Sequence, residues 1–84
     1  MPVSSTDIVE RIARVLAARR LSLNAEGEDG SAAAEVNAAW PEHRDDALAV
    51  LRTLREPDEA MAAAGDAETW ERMVGAALNA APAL

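Results

Sequence analysis

The side chains with the most chemical reach in this 84-residue chain are a single histidine, His43, and a few pairs of neighbouring acids. His43 lies in Pro41-Glu42-His43-Arg44-Asp45-Asp46, where helical spacing brings Asp46 near it at i+3 and leaves the inert Ala47 at i+4. Such a pair becomes a general base only beside an activated nucleophile, and the chain has no Cys, no Lys and no Tyr to serve as one. His43 is therefore expected to be a surface or half-buried residue. Asp45-Asp46 and Asp58-Glu59 invite an acid/base couple, yet adjacent residues on a helix point about 100° apart and do not converge on one reacting atom. Solvated faces are the expected role of these acids. The acidic stretch from Leu21 to Gly30 lacks the alternating ligands and closing bidentate Glu of a calcium loop, and neither a phosphate-cradling glycine motif nor zinc-ligand spacing occurs. The expectation is a protein that is no enzyme, with no catalytic, cofactor-binding or metal-binding residues.

What must position these side chains follows from composition. Half the residues are hydrophobic, but alanine supplies much of that half and aromatics only 2%, namely Trp40 and Trp70. Alanine favours helix, whereas strands draw on β-branched and aromatic residues, so an all-α fold is expected. At this length the chain forms one domain with a thin core, which association would help to stabilise. The two tryptophans are expected to fill that core, with an interface anchor as the sharper alternative for one of them.

Charge narrows the partners. The net charge is −7 and every Lys/Arg position is Arg. Residues 1–20 carry +2 and the remainder −9. Phosphate backbones are repelled by such a surface, so direct nucleic-acid binding is disfavoured and a charged partner should be basic. No cysteine calls for an oxidising compartment, no apolar run approaches the roughly 20 residues of a membrane span, and the N-terminus lacks a signal-peptide pattern. A cytoplasmic location in a bacterial host cell is the expectation.

Along the chain, Ser4 to Asp7 offer N-caps for a helix over about 6–20, striped by Ile8, Val9, Ile12, Val15 and Leu16. Asp7 and Glu10 near its start and Arg19 and Arg20 near its end suit the helix dipole. Residues 21–30 read as an acidic loop. Helices over about 32–40 and 41–55 meet at Pro41, which is comfortable in a first helical turn, although one continuous kinked helix is the alternative. Ala47, Leu48, Val50, Leu51 and Leu54 supply the buried face of the second. Glu56 precedes Pro57 and ends that helix. A short helix over about 57–64 gathers Ala60, Met61 and Ala64 on one side, and Gly65 is expected to close it in a left-handed conformation. Asp66 then caps a helix over about 66–81 whose face is Trp70, Met73, Val74, Ala77 and Leu78. The product is a small bundle of three main helices with one or two short connecting ones.

"LREPDEAMAAAG" followed by "WERMVGAALNA" resembles a family of small uncharacterised phage- and prophage-associated helical proteins, marked by an LREPxxxMxxAG segment and a terminal WxxM[IV]xAAL segment. "DIVERIARVLA" and Trp40 before "ALAVLRTL" are similar as well, and the spacing of Gly65 and Trp70 is shorter here than the family pattern often has. The resemblance implies phage or mobile-element origin and brings no activity with it. Small acidic helical phage proteins commonly act by occupying a host protein, so by analogy the expected function is a non-enzymatic protein-binding module, with inhibition of a host defence complex of the CRISPR type as one case. An acidic face formed by Glu42, Asp45, Asp46, Asp58 and Glu59 would dock on a basic surface of a host or phage protein. The alternative is a structural or assembly module forming a helical homodimer.

Overall fold

A computed structural model describes residues 3–24 and 32–80. Among these residues every regular element is helical. The order is α1 (Ile8–Asn24), α2 (Ala32–Ala39), a 3₁₀ turn (Trp40–His43), α3 (Arg44–Leu54), α4 (Glu59–Ala64) and α5 (Ala67–Ala80). The expected all-α bundle is what the chain forms.

Helix α1 begins where Asp7 accepts the Glu10 backbone N–H at 2.8 Å, an N-cap that satisfies one otherwise orphaned donor. It runs to Asn24, so the loop expected from residue 21 starts later. Residues 21–24 continue the helix because none of them is a glycine or proline that would break it. Residues 25–30 of the expected loop lie outside the described residues. The longer helix also leaves Arg19 and Arg20 a turn short of the C-terminus, and no basic side chain occupies the last turn. Complementing the dipole is therefore no longer the reason for these two arginines.

Pro41 reconciles both expectations for the middle of the chain. It stands in the first two positions of the 3₁₀ turn, where its missing N–H costs nothing, and α2, turn and α3 follow one another without a break. Ala39 and Arg44, on either side of the turn, keep right-handed helical backbone.

Three helices build the core. Val9 and Ala13 of α1, Ala47 and Leu51 of α3, and Val74 of α5 are buried together, and Ile8, Ile12, Leu16, Trp40, Leu48, Trp70, Ala77 and Leu78 pack around them. Ala13, Ala17 and Ala47 are fully buried, which the expected apolar stripes did not anticipate for α1. Their small side chains let helix backbones approach closely, so packing selects position over bulk. Val15, Val50, Leu54 and Met73, expected on the buried faces, are instead 61%, 41%, 40% and 63% exposed. Only one narrow stripe of each helix finds a partner in so small a bundle.

Arg14 holds α1 to the next layer. Its Nε donates to Glu10 Oε2 at 2.7 Å, its Nη1 donates to Asn37 Oδ1 at 2.7 Å on α2, and its guanidinium sits 5.5 Å from the centre of the Trp40 ring. One side chain thus links α1, α2 and the 3₁₀ turn. Arg44, 95% buried at the start of α3, is the one buried charged residue among those described.

Candidate functional site

The most distinctive local structure is the corner from Arg55 to Trp70. Helix α3 ends as the Arg55 N–H reaches back to Leu51 O and Arg52 O, after which Pro57 prevents its continuation. Asp58, in extended backbone, caps α4 by accepting the Met61 N–H at 3.0 Å. The helix therefore starts at Glu59, two residues later than expected, and closes with the Gly65 N–H on Met61 O. Gly65 itself has φ −157° and ψ −155°, so the expected left-handed closure does not occur. A Cβ there would meet nothing within 4 Å, and any residue fits this backbone.

Asp66 restarts the chain as a helix. Its Oδ1 accepts the backbone N–H groups of Glu68 and Thr69 at 3.0 and 3.5 Å, and its Oδ2 accepts the Thr69 hydroxyl at 2.9 Å. Thr69 Oγ1 in turn accepts from Arg72 Nη2 at 3.2 Å. The hydroxyl and then the N–H of Thr69, with a smaller share from Glu68, hold the Asp66 carboxyl below its ordinary value of 3.8. A depressed carboxylate stabilises the fold above the ordinary range, and that contribution disappears as pH falls through the lowered value. Urea midpoints followed down to about pH 2 should therefore drop less steeply for Asp66→Asn, which still caps but does not titrate, than for the natural chain.

Trp70 closes the corner. Its indole N–H donates to the carbonyl of Leu54 at 2.7 Å, satisfying an acceptor at the α3 terminus that the helix cannot use. This bond pins the start of α5 against the end of α3. Between α4 and α5 it leaves a groove of about 420 Å³ lined chiefly by Pro57, Met61, Ala64, Ala67, Trp70 and Met73. Residues 58–66 are all exposed, and Met61 and Met73 show 38% and 63% of their surface. Methionine and tryptophan together on an open surface suit adaptable protein contact. The chain that forms the corner is anionic: residues 56–66 hold Glu56, Asp58, Glu59 and Asp66 with no basic residue.

The five acids expected to form a binding face separate into two groups. Glu42, Asp45 and Asp46 stand at the N-terminal end of α3, while Asp58 and Glu59 lie beyond its other end, about 15 Å of helix away. All five are exposed. Asp58 is committed to its cap, and Glu59 opens α4. His43 is half-buried at the N-cap of α3, makes no side-chain capping bond and is joined to Asp46 by neither hydrogen bond nor ion pair. A larger hollow of about 660 Å³ on the other side of α5 gathers Arg55 and Arg72 with Glu68 and Glu71, two charges of each sign with no net excess. Among the described residues no three His, Asp or Glu side chains come together as metal ligands, and no helix is long and apolar enough to cross a membrane.

No family model, curated protein or solved structure matches the chain. The geometry of its own surface is thus the source of the functional reading.

Proposed function

We propose that this chain is a non-catalytic protein-binding module whose working surface is the corner formed by α4 and the start of α5. The observation that carries this reading is the coincidence there of an open Met61/Trp70/Met73 groove with a segment, residues 56–66, bearing four acids and no base. Apolar side chains provide the contact area, and the surrounding negative charge selects a basic partner and speeds encounter. An Arg/Lys-rich protein surface of the kind that otherwise holds nucleic acid fits this description, and occupying it would exclude nucleic acid by competition. Glu42, Asp45 and Asp46, at the other end of α3, belong to a separate acidic patch that would favour the same class of partner without touching the groove.

Affinity capture from a bacterial lysate, with recovered proteins identified by mass, tests the reading when run against two variants. Glu56→Arg/Glu59→Arg should lose the captured partner, and Glu42→Arg/Asp45→Arg/Asp46→Arg should retain most of it. Equal capture by the natural chain and the Glu56→Arg/Glu59→Arg variant would remove the corner as the binding surface.

A further inference from the structure

The chain itself carries a surface complementary to this groove. On α1, Val9, Ala13 and Ala17 face the core, which turns positions 11, 15 and 19 outward along a single stripe. Val15 is 61% exposed there, and Arg11 and Arg19, both exposed, flank it one turn away on each side. From Arg11 to Arg20 the helix holds four arginines and no acid. Because α1 extends to Asn24, Arg19 is not at its C-terminus, and no ion pair among the described residues engages Arg11 or Arg19. An exposed apolar residue between two exposed cations is what a helix must offer to lie in an apolar groove within an anionic field.

We infer that the groove between α4 and α5 receives the Arg11-Val15-Arg19 face of α1 from a second copy of this chain. This rests on the reading of the corner as a protein-binding surface and names its partner. Val15 enters between Met61 and Met73, and the two arginines lie over the acids of residues 56–66. The contact is heterologous, a helix face of one copy on a groove of the next, so each copy retains one donor and one acceptor surface. A ring forms if the rotation closes, and a linear chain forms if it does not.

Two surface substitutions separate the halves of the contact. Val15→Asp spoils the helix face and Met73→Asp spoils the groove, and both positions are exposed enough for the bundle to fold, which far-UV circular dichroism would verify. In sedimentation equilibrium the natural chain should show an average mass that rises with concentration and falls back in about 0.5 M salt, where screening reaches within a few Å. Each variant alone should associate at least about tenfold more weakly, a loss of roughly 1.4 kcal/mol. Mixing the two should restore association, because the intact α1 of Met73→Asp meets the intact groove of Val15→Asp. A natural chain that stays monomeric at millimolar concentration, a Val15→Asp variant that associates as the natural chain does, or a mixture no stronger than its parts overturns the inference. Lysate capture sensitive to Glu56→Arg/Glu59→Arg alongside a strictly monomeric chain would overturn only the identity of the partner, and loss of both results would remove the binding corner as well.

Discussion

Replacing Leu51 by alanine should lower stability by about 2–5 kcal/mol, the range for a buried leucine whose cavity only partly collapses. Leu51 is 1% exposed and belongs to the buried cluster that it forms with Val9 and Ala13 of α1, Ala47 of α3 and Val74 of α5, where the three main helices share a core. A domain of this length holds roughly 4–13 kcal/mol in total, so the variant should be largely unfolded at moderate temperature or in low urea. Leu54→Ala, three residues on and 40% exposed, is the matched control and should cost less than half as much. Equal losses in the two urea curves would mean that the core does not lie on the Leu51 side of α3.

The second large effect is expected at Trp70. Trp70→Ala removes both the ring that packs against the core and the 2.7 Å bond to Leu54 O, and should approach the lower end of the ~3–5 kcal/mol found for buried tryptophans, because this ring is only half-buried. Trp70→Phe keeps a six-membered ring and loses the bond together with the five-membered ring, the bond accounting for about 0.5–1.5 kcal/mol. The gap between the two variants measures the packing of the six-membered ring. Hydrogen exchange should localise the damage, with amides of α4 and the first turn of α5 losing protection before those of α1 in Trp70→Phe. Uniform loss across the chain would contradict the role of this bond as the pin between α3 and α5.

Helix identity and the caps were legible in the sequence because they depend on neighbours. Asp7 and Asp66 each cap the helix that follows, and Pro57 ends α3 as its geometry demands, whereas Asp58, expected on an acidic face inside the short helix, instead caps it from outside. Burial was less legible because it depends on residues distant along the chain. The pattern at Ile8, Val9, Ile12, Val15 and Leu16 identifies an amphipathic helix but cannot fix which edge of a wide apolar stripe meets α3. That edge proved to run through Val9, Ala13 and Ala17, leaving Val15 outside. Gly65 shows the same limit in the backbone: glycine is compatible with left-handed closure, yet the position adopts an extended conformation open to any residue.

The candidate surface was only half legible. The acids of residues 56–66 are plain in the sequence, whereas the groove beside them arises from the angle at which α5 leaves the corner. The Trp70 bond to a residue 16 positions earlier helps to fix that angle, and no local spacing announces it. One signal was present, in that Met61 and Met73 are apolar residues on helices too short or too narrow to bury every apolar position.

The placement of the two tryptophans also makes the protein its own optical instrument. With no tyrosine in the chain, near-ultraviolet emission comes from Trp40, held under Arg14 beside α1, and Trp70, which lines the groove at the opposite end of α3. In a Trp40→Phe background the remaining indole reports on the groove alone, and in Trp70→Phe the other reports on the junction of α1 with the 3₁₀ turn. Occupation of the groove and melting of the bundle thus acquire separate colours, readable without attaching a dye to a surface whose charge pattern the dye would disturb.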